Sequence, residues 1–180
     1  MRPKLPTIIL AALLAGTIAI VLNIFVLDAL KNAGVETLGG GLQNLMRAKL
    51  SGIVLSTGLA DAWASSGLPG SDAPSFKTGF KVTVGLLMAL IYALLFEPLL
   101  RGSSFRKGLI TAVPFWLLNA FVVLPLLGHG IAGTRLLTIL GLLSYAFAHT
   151  LFFVIVALVY GELSRRFRSR HAPPASHQSI

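Results

Sequence analysis

Residues 136–160 read LLTILGLLSYAFAHTLFFVIVALVY, twenty-five positions without one Asp, Glu, Lys or Arg, interrupted only by His149, two tyrosines and a few hydroxyls. A helix rises about 1.5 Å per residue, so roughly 20 apolar residues cross the hydrocarbon core of a bilayer, and this run is long enough. No water reaches the peptide groups there, which favours a helix that closes its own hydrogen bonds. Three further stretches, 5–30, 82–100 and 108–127, have the same character. Together they predict an all-α, integral membrane four-helix bundle in a single transmembrane domain over residues 1–163.

Composition supports a chain solvated largely by lipid. Hydrophobic residues make up 55% of the 180 positions and charged residues only 12%, too few to coat a water-soluble domain of this size. The mean hydropathy is +0.82. Cysteine is absent, which removes disulfides, thiolate metal sites and cysteine nucleophiles. Four spans leave no room for a separate soluble catalytic domain within 180 residues, so function is expected in the bundle or its loops.

The first stretch follows Arg2 and Lys4, as a signal peptide would. Its apolar run exceeds the roughly 7–15 residues of a signal h-region, and the end at Asp28-Ala29-Leu30-Lys31 lacks a small-x-small cleavage site. A retained first helix is expected.

Basic residues set the expected orientation. Arg2 and Lys4, the connection with Arg101, Arg106 and Lys107, and the tail with Arg165, Arg166, Arg168 and Arg170 all fall on one side of a four-span chain. By the positive-inside rule both termini are cytoplasmic. The net charge of +9 is thereby explained by topology, and no aromatic-basic platform for nucleic acid accompanies it. The four tail arginines are candidates for anionic lipid headgroups. Residues 164–180 read as a basic, disordered cytoplasmic tail.

The connections after the second and third spans are short, which predicts that helices two, three and four are successive antiparallel neighbours. The first helix is tethered by a longer loop over residues 31–81. After Gly39-Gly40-Gly41, apolar residues at helical spacing predict an amphipathic helix over about 42–55, lying at the outer interface. No repeat relates the two halves of the chain, which disfavours an inverted-repeat transporter.

The few polar residues within the spans carry the functional reading, because each costs several kcal/mol in hydrocarbon without a partner. Tyr92, Asn119 and His149 fall near the middle of the second, third and fourth expected spans, which predicts a polar layer at one depth. In its structural form Asn119 bridges its neighbours and His149 donates at one ring nitrogen while accepting at the other. In its functional form His149 is a proton-responsive or ligand-binding group in a shielded pocket.

Gly85, Ala89, Ala93 and Glu97 recur at a spacing of four, as do Ala11, Ala15 and Ala19, a pattern that lets helices approach closely. Glu97 precedes Pro98, and Arg101 follows one turn later as its expected ion-pair partner at the membrane edge. A proton relay below His149 is the other role open to Glu97. A kink is expected at Pro114.

His129 lies roughly 15 Å along the axis from the expected depth of His149, too far for both to clasp one haem. No carboxylate-histidine cage, Gly-x-Ser-x-Gly or phosphate loop is present. The chain is therefore expected to be non-enzymatic, without cofactor or metal, with the lipid bilayer and a second copy or another membrane subunit as its partners.

The order Gly85-x3-Ala89-x2-Tyr92-x4-Glu97, then Lys107-Gly108-Leu109, Pro125-Leu126-Leu127-Gly128 and Ala148-His149 before Arg165-Arg166 resembles the carboxyl-terminal half of the YagU-like group, small bacterial inner-membrane proteins. The resemblance covers about residues 76–168. One member of that group has an implied connection with acid resistance, and for this chain the resemblance implies a bacterial inner-membrane location and a role for His149. The readings left open are a structural or accessory bundle and a proton- or small-solute-handling membrane protein.

Overall fold

The computed structural model describes residues 4–37, 45, 65–67 and 73–169, apart from the side chain of Arg168. The interfacial helix expected at 42–55 and the tail beyond 169 lie outside the described residues. Among the described residues, four helices are long and apolar enough to cross a membrane: α1 (Leu5–Asn32), α2 (Pro74–Leu99), α3 (Ser104–Leu126) and α4 (Ile139–Ser169). No strand occurs among the described residues.

Local chemistry sets the helix ends. Pro6 and Pro74 sit in the first turns of α1 and α2, where a missing N–H removes no intrahelical bond. α2 thereby starts at Pro74, well ahead of the expected residue 82. Both α1 and α3 end in a glycine with positive φ, Gly34 at 77° and Gly128 at 79°. The following N–H groups reach back to the helix, Val35 to the carbonyl of Leu30 at 2.9 Å and His129 to that of Leu124 at 3.0 Å. These are Schellman closures, and each satisfies carbonyls that the helix end would otherwise strand in an apolar medium. α4 continues to Ser169, so the part of the expected tail from 164 to 169 is helical.

Two helices contain a π turn, Tyr92–Phe96 in α2 and Asn119–Val123 in α3. Each lies just upstream of a proline, Pro98 and Pro125. Proline cannot donate to the carbonyl four residues back and its ring clashes with it. The carbonyls concerned belong to Leu94 and Phe121, inside the π turns, where widening the helix relieves the conflict. Pro114, by contrast, lies within continuous α-helix, so the departure from α geometry in α3 occurs later than expected.

Helix packing relies on small residues. Ala11, Ala12, Ala15, Gly16 and Ala19 of α1 are buried, as are Gly85, Ala89 and Ala93 of α2. A Cβ placed on Gly16 would lie 2.8 Å from Cβ of Ala89, and one on Gly85 would lie 3.1 Å from Ile20. α3 meets α4 as closely, since a Cβ on Gly108 would stand 2.6 Å from Cα of Val154. The expected small-residue stripes are therefore used within the chain.

The packing order differs from the expected sequential one. α1 packs against both α2 and α4, and α4 against α3, whereas α2 and α3 meet mainly at the π turn beside their connection. α1, expected to be the loosely tethered helix, is central because its alanine face accepts two neighbours. Away from the connection, α2 and α3 leave a gap floored by α1 and α4. Outward positions are apolar, with Phe25 68% and Leu140 61% exposed, as a lipid-facing surface requires.

Candidate functional site

Polar groups gather at two levels of the bundle. At the level of the α2–α3 connection, Tyr92 Oη donates to Glu97 Oε2 at 2.5 Å, and Lys107 Nζ donates to Glu97 Oε1 at 2.7 Å. Lys107 Nζ also reaches the backbone carbonyl of Glu97 at 3.4 Å. Tyr92 is fully buried, edge-on to Tyr160 with ring centroids 5.9 Å apart.

The π turn makes this cluster. Residues five apart diverge on an α-helix but stack when the repeat widens, and the Glu97 N–H bonds to the carbonyl of Tyr92. Glu97 thus takes Lys107, from the first turn of α3, where Arg101 was expected; Arg101 is exposed. Arg101 follows Pro98 and Leu100, whose extended backbone (φ −90°, ψ 139°) ends the helix and carries Arg101 off the helical face.

The second level is the gap between α2 and α3. It holds a cleft of about 210 Å³ whose wall includes Lys81, Phe115, Asn119, Tyr145, His149 and Phe153. Its lining is mostly apolar and aromatic. Phe115 stacks on Phe153 at 4.7 Å, and His149 meets the Phe153 ring at 5.5 Å, edge to face. His149 Nε2 is buried and has no hydrogen-bond partner among the described residues.

The expected single layer is split. Gly85 faces Ile20, and Asn23 Nδ2 donates to the carbonyl of Ala148 at 2.6 Å. Counted along α1 from those two contacts, Tyr92 and His149 lie roughly 14 Å apart at ~1.5 Å per residue. The early start of α2 moves its midpoint away from Tyr92, which is why depth inferred from the apolar run alone misplaced it. Nor does Asn119 bridge its neighbours. Its Nδ2 donates to the Phe115 carbonyl of its own helix at 3.1 Å. At the level of His149 a bond between helices comes instead from Asn23, a residue sequence reasoning passed over although it was the only amide in α1 upstream of its final residue.

Next to the cleft, towards the end of the bundle formed by Gly34 and Gly128, lies a wider basin of about 530 Å³. Asp28, Lys31, Glu36 and Lys81 surround it. Leu27 and Lys81 line both spaces. Of the tail arginines proposed for lipid headgroups, Arg165 and Arg166 each bond Glu162, at 2.6 and 2.7 Å. Arg170 and the side chain of Arg168 lie outside the described residues.

Comparison with known proteins finds no matching family model, no matching curated protein and no matching solved structure.

Proposed function

We propose that this chain is a non-enzymatic, multi-pass protein of the bacterial inner membrane that binds a small solute in the cleft between α2 and α3, with His149 as its polar anchor. The observation that carries the reading is His149 Nε2, which has no hydrogen-bond partner among the described residues and is buried in the wall of a cavity of about 210 Å³. A purely structural histidine in hydrocarbon is held by a partner, because an unmet polar atom costs about 1–3 kcal/mol. A ligand supplies that partner. The cavity is smaller than the roughly 300–1,000 Å³ typical of drug-sized ligands, which suits a small molecule with one or two polar groups.

In this reading both termini face the cytoplasm, and the basin with Asp28, Lys31, Glu36 and Lys81 opens on the other side. The anionic headgroups of the inner leaflet then meet the basic connection and tail.

The structural or accessory-bundle reading rests on the small-residue stripes. They face one another inside the chain, as Gly16 does Ala89, and so need no further subunit. The two readings separate in one experiment. In purified protein in nanodiscs, 4-propylphenol is expected to shift the imidazole ¹⁵N resonance of His149, and His149→Phe is expected to abolish binding while the protein stays folded. A wild-type His149 signal indifferent to the probe, together with loss of folding in the variant, would instead establish the structural role.

A further inference from the structure

Lys81 is half-buried and, unlike Asp28, Lys31 and Glu36 of the basin, also lines the apolar cleft. Asp28, Lys31 and Glu36 are exposed on the basin side. Among the described residues Lys81 has no ion-pair partner. A cation at the edge of a low-dielectric space attracts an anion more strongly than one in water, and it disfavours a cationic guest. The cleft therefore offers one positive charge at its mouth, aromatic walls from Phe115 and Phe153, and one unmet hydrogen-bonding nitrogen on His149.

These features lie within one small cavity, and together they describe a guest. Its carboxylate answers Lys81. A flat ring fits beside Phe115 and Phe153, since aromatic pairs prefer offset-stacked or edge-to-face contact. A hydroxyl at the far end of the ring meets Nε2, which accepts from it or donates to it according to the tautomer. We infer that the cleft between α2 and α3 binds a single-ring aromatic hydroxy acid, with its carboxylate at Lys81 and its hydroxyl at His149.

This inference rests on the reading of the cleft as a ligand site, and its test separates the two. The full chain in phosphatidylcholine nanodiscs is titrated with 3-(4-hydroxyphenyl)propanoate, with 4-propylphenol, which lacks the carboxylate, and with 3-phenylpropanoate, which lacks the hydroxyl. Calorimetry and the His149 ¹⁵N resonance are read together. The hydroxy acid is expected to bind at least about ten-fold more tightly than either analogue, a factor within the range of one hydrogen bond to a charged group. Lys81→Met brings its affinity down to that of 4-propylphenol. His149→Phe brings it down to that of 3-phenylpropanoate. Lys81 stands at the cleft mouth, so its variant carries the test even if His149→Phe fails to fold.

Equal affinity of wild type for 4-propylphenol and the hydroxy acid, with a His149 response to both, overturns the acid assignment and leaves the cleft reading standing. Absence of binding by all three compounds, with an unmoved His149 resonance, overturns both.

Discussion

Tyr92 and Glu97 are five residues apart in sequence, yet their side-chain oxygens lie 2.5 Å apart. The π turn ahead of Pro98 brings them together, and the same geometry delivers Glu97 to Lys107. A backbone irregularity ahead of one proline therefore sets the partners of Glu97.

Pro98→Ala is expected to let α2 relax towards regular α geometry and to uncouple the pair. Tyr92→Phe should then cost about 1.5–3 kcal/mol in the native background, the range for a hydrogen bond to a charged group, and close to nothing when Pro98 is already replaced. A double-mutant cycle on unfolding in mixed micelles measures the difference. Equal costs in both backgrounds would show that the π turn does not hold the pair.

Lys107→Met removes the cation from a partly buried pair whose side chains are 14% and 25% exposed. The unpaired Glu97 carboxylate should lower stability by about 2–3 kcal/mol, somewhat below the loss for a fully buried pair. Adding Glu97→Gln should recover most of that loss. A double variant as unstable as the single one would show that Lys107 acts through packing.

Gly108→Ala places a methyl group 2.6 Å from the Cα of Val154, where only backbone movement makes room. A loss of about 2 kcal/mol or more is expected from this overpacking, read as a lowered thermal midpoint. Gly34→Ala meets no neighbour within 4 Å but forces a side chain to φ +77°. Its cost, from backbone strain at a helix end, should be nearer 1 kcal/mol.

Asn23→Leu deletes the bond from Nδ2 to the Ala148 carbonyl, 2.6 Å long and adjacent to His149. The expected loss is about 0.6 kcal/mol, the average for hydrogen bonds between membrane helices. If Asn23 also fixes the α1 edge of the cleft, the His149 ¹⁵N resonance of the variant moves before any ligand is added.

The four helices were legible from apolar run length, because lipid imposes the same condition on every crossing segment. Their starts were less so. Pro74 opens α2 in a segment containing Lys77 and Lys81, charges that a hydropathy reading assigns to a loop. That error shifted the expected depth of Tyr92 and produced a single polar layer in place of two levels. The small-residue stripes were legible as packing faces, and the burial of Ala15 and Ala89 agrees. The Glu97 partner was not, because the spacing-of-four rule presumes an unbroken α-helix. Pro98 was the visible sign of the break. The cleft itself follows from α2 and α3 diverging away from their connection, a relation between helices that no local pattern encodes.

The α1–α2 contact includes a row of alanines and glycines, as where Gly16 meets Ala89. Such residues have almost no rotamers to freeze, so this pair of helices closes with little loss of side-chain entropy. The contact of α3 with α4, carrying Phe115 and Phe153, must immobilise large rings as it forms. Ordering the bundle therefore costs little side-chain entropy where those small residues meet, and the larger share of that cost falls on its aromatic side.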